Sequence, residues 1–312
     1  MFLLRKPILA LSGSARARSL LTDLPVTRAV VDRFVAGGTV ADAVATAGKL
    51  RADGLQVTLD HLGENTSDTD HADATVAAYL ALIDALANAG LAQGAEMSVK
   101  LSAVGQALTS TDGSAYALAG ARKIADAAYG AGARLTLDVE DHTTIDSTLG
   151  ILRTLREDHP DVGVAIQAML LRTPKDLATL TGPGSRVRLV KGAYDEPGKV
   201  AFVEPHQVDR AYVRAMKVLM TGDGYPMVGS HDPRMIAIAE KLATEAGRGP
   251  DAYEHQFLYG IRPDEQRRLR AEGKTVRVYV PYGSDWYGYF TRRLAERPAN
   301  LLFFLRALLS RG

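Results

Sequence analysis

The sequence predicts an α/β fold, a closed (βα)8 TIM-type barrel behind an N-terminal helical segment, and three observations carry that expectation. From about residue 54 the chain repeats one unit: a short aliphatic or β-branched run, a polar turn, then a stretch rich in Ala, Leu and charged residues. Such alternation is the mark of βα units. Eight of these runs occur, and several are continuously apolar, as in strands buried on both faces of a parallel sheet. No Gly-x-Gly-x-x-Gly fingerprint follows the first run, which favours the closed barrel over an open, doubly wound sheet.

Taken in order, residues 1–50 carry helical patterns and no clear strand, and are read as a helical segment packed on the barrel. The barrel then occupies 51–312, its C-terminal helix included. Strands are expected at 55–60, 96–101, 134–139, 162–168, 187–190, 226–230, 253–257 and 276–280. Gly54, Gly94, Gly132 and Gly224 stand just ahead of four of them, where glycine can end the preceding helix and turn the chain. The run 301–309, interrupted by Arg306, is expected to dock on a core; a membrane-surface role is its alternative.

Bulk properties narrow the function. The net charge is +1 and no block of five like charges occurs, so the basic footprint of a nucleic-acid binder is missing. There is no cysteine, which removes disulfides, thiolate metal sites and cysteine nucleophiles, and fits a reducing, cytoplasmic setting. The first eleven residues make a poor signal peptide because Arg16 and Arg18 follow without a small-residue cleavage site. No apolar run approaches the ~20 residues of a spanning helix.

Chemistry in such a barrel sits at the C-terminal strand ends, and almost every run delivers a polar group there. Asp60, His61 and Glu64 follow the first; Lys100 ends the second; Asp138, Glu140 and Asp141 the third; Gln167 and Arg172 the fourth. Arg188, Lys191 and Tyr194 lie at the fifth, His231 and Asp232 at the sixth, Gln256 and Leu258 at the seventh, Tyr282 at the eighth. Each has a plainer reading. Lys100 or Lys191 can be half of an ion pair, and Asp138 or Asp232 can cap a helix. Arg188 lies inside a strand and needs an acceptor, because burying an unpartnered arginine is costly. The histidines are scattered without metal-ligand spacing, and neither a Gly-x-Ser-x-Gly elbow nor a P-loop occurs.

The stretch 282–297 carries the sharpest signal. Tyr289, Arg292, Arg293 and Glu296 fall three and four apart, so on a helix they share a face. Two adjacent guanidiniums, one offset by a glutamate, are suited to a carboxylate ligand. A solvated amphipathic helix is the plainer reading.

Two long motifs then support a resemblance. Arg188-Leu189-Val190-Lys191-Gly192-Ala193-Tyr194 resembles the fifth-strand signature of the proline dehydrogenase family, and 289–297 resembles its eighth-helix signature. Val99-Lys100, Leu137-Asp138-Val139-Glu140, Gln167-Ala168, Ser230-His231-Asp232 and 256–260 add to it in the right order. The resemblance implies a (βα)8 barrel holding FAD and oxidising L-proline to Δ1-pyrroline-5-carboxylate by hydride transfer from C5 to flavin N5. This is the first step of proline catabolism, with electrons leaving to a quinone at the membrane surface. By the same resemblance, Lys100, Arg292 and Arg293 bind the substrate carboxylate, Glu296 orients them, and Tyr194, Leu258 and Tyr282 wall the ring beside Asp138. Gln167, Arg188, Lys191, Gly192, Ala193 and His231 hold the flavin, no metal is involved, and Glu64 pairs with an active-site arginine. The chain departs from relatives at Met169 and Asp195, both expected near the cofactor, and it reads as monofunctional and cytoplasmic or peripheral on the inner membrane face. Two other readings stay open: a Schiff-base aldolase using Lys100 or Lys191, and a non-catalytic barrel binding a small acid.

Overall fold

A computed structural model describes residues 31–287 and residue 289; Arg292, Arg293 and Glu296 lie outside the described residues. Eight parallel strands close into a barrel in sequence order: β1 (Gln56–His61), β2 (Glu96–Lys100), β3 (Arg134–Asp138), β4 (Gly163–Gln167), β5 (Arg186–Val190), β6 (Tyr225–Gly229), β7 (Glu254–Leu258) and β8 (Val276–Tyr282). The barrel shuts where β1 pairs β8 from Gln56↔Arg277 to His61↔Tyr282. That pairing keeps β8 extended two residues beyond the expected 280. The helices are α1 (Val40–Ala52), α2 (Thr69–Asn88), α3 (Gly113–Gly130), α4 (Ile145–Asp158), α5 (Thr173–Leu177), α6 (Pro205–Thr221), α7 (Pro233–Glu245) and α8 (Pro263–Ala271), with a 3-10 turn at Leu101–Val104. The expected segment boundary at residue 50 falls within the last turn of α1.

Local chemistry sets the helix ends. Thr39 and Asp42 form a reciprocal capping box at α1, and Asp68, Asp112 and Asp232 each accept a backbone N–H at the start of α2, α3 and α7, which satisfies donors the helix leaves unpaired. Proline opens α5, α6, α7 and α8, where its missing N–H costs nothing. Gly132, at φ +80°, ends the turn after α3 in a conformation a side chain would strain.

The strands divide their residues by parity. Val57, Leu59, Met97, Val99, Leu135 and Leu137 point outward into the core shared with Tyr79, Leu82 and Leu86 of α2. Each fully buried leucine contributes about 1.5–3 kcal/mol of hydrophobic stabilisation. Inward positions are charged. Glu96 bonds Thr58 at 2.9 Å and receives Arg188 at 2.5 Å and Arg186 at 3.3 Å. Glu254 receives Arg277 at 2.7 Å and Gln256 at 2.6 Å. Such bonds between β5 and β2, strands not paired with each other, run only through the interior. With Asp138 on Arg188, three arginines meet three carboxylates, and a buried set of this kind is tolerable because each charge is paired and hydrogen-bonded.

His255 on β7 points outward, is 1% exposed, and neither ring nitrogen has a hydrogen-bond partner among the described residues. Burial, with Lys274 and Arg268 nearby, lowers its pKa to about 4. Below its unfolded value of 6.5 the unfolded chain binds a proton that the fold refuses, so stability falls as pH drops from 6.5 towards 4. The loss is about 2 kcal/mol by pH 5. Urea midpoints of His255→Met should therefore fall less between pH 7.5 and pH 5 than those of the parent protein. An equal fall in both proteins would remove His255 as the cause.

Candidate active site

A cavity of about 570 Å³ opens at the C-terminal ends of the strands. Lys100, Asp138, Gln167, Arg188, Lys191, Gly192, Ala193, Tyr194, His231 and Leu258 all line it, so residues spread over six strands and their following loops come together as expected.

The floor is a chain of linked polar groups. Arg188 leaves β5 and donates to Gln256 Oε1 at 2.7 Å, Ser98 Oγ at 2.7 Å, Asp138 Oδ1 at 2.6 Å and Glu96 Oε1 at 2.5 Å. Burial disfavours its charge, but Asp138 and Glu96 outweigh that and its pKa is raised. Asp138 also accepts the Tyr279 hydroxyl at 2.8 Å; it does not cap the following helix. Lys100, 8% exposed, donates to Asp60 Oδ1 at 2.6 Å. Burial opposes that ammonium, yet Asp60, Glu64 and Asp138 together hold its pKa above the ordinary value. Burial likewise raises Asp60, with Lys100 pulling the other way.

A lysine held so firmly in its charged form is a poor Schiff-base nucleophile, which must be a neutral amine. Lys191 is bridged to Asp209 and Asp232 at 2.5 and 3.0 Å, while Asp232 also performs the capping expected of it. The aldolase alternative therefore loses both of its candidates.

The opposite wall is more apolar. Leu258 packs beside Phe34, Val35, Leu62 and Tyr289, and its N–H donates to His231 Nε2 at 2.9 Å, which fixes the His231 ring beside Phe257. Gly192 turns at φ +112°, and a Cβ there would stand 2.5 Å from Met169 Sδ. Met169 is thus buried beneath the Gly192 loop with Ile145 and Leu170, while Asp195 is exposed.

Tyr282 does not line the cavity. It is 1% exposed, shares the outward parity of Val278 and Val280, and sets its ring 5.2 Å from His61 in the core. Burial raises its hydroxyl pKa. The β8 tyrosine on the cavity is Tyr279, which shares the inward parity of Arg277. Period-two alternation is the signal that distinguishes the two tyrosines: Tyr279 is in step with Arg277, and Tyr282, the last aromatic of the strand, is not. Asp60 and Gln256 were visible as strand-end residues; their place in the site comes from cross-barrel contacts.

Fold and cavity define a (βα)8-barrel enzyme with its polar groups at the rim that such barrels use for catalysis. The family model described as proline dehydrogenase matches residues 43–306. "Proline dehydrogenase 1" of Bacillus subtilis (strain 168) is 37% identical over 91% of this chain and 92% of its own length. "Proline dehydrogenase" of Deinococcus radiodurans is 38% identical over 90% of each chain. Among solved structures, proline utilization A (PutA) from Bdellovibrio bacteriovorus inactivated by N-propargylglycine superposes with a TM-score of 0.77 at 23% identity, covering 86% of this chain and 32% of that one. The fold is shared, and this chain spans about a third of the PutA length. The chain belongs to the proline dehydrogenase family.

Proposed function

We propose that this chain catalyses the first step of proline catabolism, oxidising L-proline to Δ1-pyrroline-5-carboxylate, with FAD at N5 accepting the hydride released from C5. Membership of the family makes it an oxidoreductase acting on proline. The observation that carries the finer reading is the chain of groups Lys100, Asp60, Asp138, Tyr279 and Arg188 on the floor of one cavity.

The residues suit the cofactor. Gln167 donates Nε2 to the Glu140 backbone oxygen at 2.6 Å, and its buried Oε1 has no partner among the described residues, an acceptor of the kind a ring N–H satisfies. Gly192 allows backbone to run where a side chain would collide with Met169. Gln167, Arg188, Lys191, Gly192, Ala193 and His231 are the residues that would hold FAD.

The protein's work is positioning and charge. Lys100 supplies a fixed cation for the substrate carboxylate, and the resemblance adds Arg292 and Arg293, oriented by Glu296. Asp138, immobilised by Arg188 and Tyr279, offers an acceptor beside the ring, with Tyr194 and Leu258 as walls. By the resemblance Arg188 would sit near the reactive end of the flavin, where a guanidinium would favour the negative character of the reduced ring. The substrate amine must be neutral for its lone pair to assist, so turnover should rise with pH until that nitrogen is deprotonated. Electron transfer to a quinone and a peripheral place on the inner membrane face follow from the resemblance, and a cytoplasmic setting from the cysteine-free sequence; no described helix is long and apolar enough to cross a membrane.

Anaerobic addition of L-proline to the FAD-loaded protein should bleach the flavin band near ~450 nm, and D-proline should not. A bound flavin that stays oxidised would overturn the substrate assignment. Arg292→Met and Arg293→Met should each raise the KM for proline with FAD affinity little changed. Loss of FAD with proline affinity intact would reverse the division of roles.

A further inference from the structure

The segment between β5 and α6 is irregular and carries Gly192, Ala193 and Tyr194 of the cavity wall. Its two ends are sewn to the turn after β4. Met169 N–H donates to the Lys191 oxygen at 3.0 Å, Leu171 N–H to Val200 at 2.9 Å, and Phe202 N–H to Met169 at 2.8 Å. Between these anchors Asp195, Pro197, Gly198 and Lys199 are exposed, yet Glu196 is only 9% exposed. Taking one carboxylate out of water within an exposed run is unfavourable unless both oxygens find strong donors. They do: His142 N–H donates to Oε1 at 2.8 Å, and His142 Nδ1 lies 2.5 Å from Oε2.

His142 belongs to the loop after β3, three residues beyond Val139, which also lines the cavity. The contact therefore joins the β3 and β5 loops across the end of β4, the strand that delivers Gln167. Tyr194 is two residues from Glu196 and packs against the buried cluster of Ile145, Met169 and Leu170. A loop anchored at its ends samples more conformations at its middle, and the Glu196 clasp adds a fixed point beside the tyrosine.

We propose that His142 and Glu196 are positioning residues for Tyr194, acting on substrate affinity without touching substrate. The kinetic part rests on the proposed proline oxidation. Glu196→Ala and His142→Ala should each raise the KM for L-proline about tenfold, as expected for losing a charge-assisted hydrogen bond, with kcat changed less than about twofold. His142→Asn, whose amide nitrogen can stand where Nδ1 stood, should restore most of the affinity. In a Tyr194→Ala background, Glu196→Ala should add nothing, because both changes remove the same wall.

Amide hydrogen exchange on the FAD-loaded protein supplies a readout independent of turnover. Exchange across 192–199 should quicken about tenfold in Glu196→Ala while α6 stays unchanged. Unaltered exchange and KM, additive effects with Tyr194→Ala, or kcat and Tm falling along with the rise in KM would each overturn the clasp. Failure of the parent protein to oxidise proline would sink the substrate reading alone, since exchange still decides whether Glu196 orders the Tyr194 segment.

Discussion

Replacing Arg188 with methionine should destabilise the protein by about 3–5 kcal/mol, the cost of breaking a buried ion pair from one side. Four acceptors lose their donor together: Gln256, Ser98, Asp138 and Glu96. Glu96 is 0% exposed and would keep Arg186 and Thr58 as hydrogen-bond partners, with Arg277 as a nearby charge. Arg188→Lys should recover little, because one compact ammonium cannot span acceptors arriving from β2, β3 and β7. Urea unfolding of the two variants, with FAD content measured on the same samples, checks this. A lysine variant of parental stability and full flavin content would show that charge alone suffices and that the guanidinium geometry is dispensable.

Lys100→Met should cost both affinity and stability, and the two can be separated. Without the ammonium, Asp60 is left buried beside Asp138 with no counter-charge at 2.6 Å, so stability should fall by about 3 kcal/mol. The KM for proline should rise about 30–100-fold, corresponding to a lost hydrogen bond between charged groups. Adding Asp60→Asn should return most of the stability by removing the orphaned charge, and none of the affinity. If the double variant regains proline affinity as well, Lys100 serves the fold through Asp60 and does not bind the carboxylate.

Glu140 illustrates how little a motif discloses about environment. It stood in the sequence as one of three acids after the third strand, yet only the folded chain buries it and gives it Ser102 Oγ at 2.7 Å and Ser102 N–H at 3.2 Å. Burial pushes its pKa to about 7 despite those bonds, with Glu64 adding to the rise. Glu96, Arg186, Glu254 and Arg277 are harder still to read. Each is a lone charge at one end of its own strand, and nothing local announces that partners up to 220 positions apart meet inside the barrel. Tyr279 is legible in principle, since it alternates in step with Arg277, whereas position at the strand end points to Tyr282.

By itself the sequence determined that eight βα units would form, where each strand would lie to within a residue or two, and at which rim the polar groups would gather. Those are consequences of short-range chemistry: hydrophobic period, glycine punctuation and helix capping act within a few residues. Tertiary structure alone decided that the barrel interior is a balanced set of three arginines and three carboxylates, that Tyr279 faces the cavity while Tyr282 joins the core, and that Glu196 reaches back to His142. The reason is closure. Pairing β1 with β8 sets which side of every strand is inside, and once the ring is shut, side chains far apart in the chain share a volume from which water is excluded. There, each charge persists only where another strand supplies its partner.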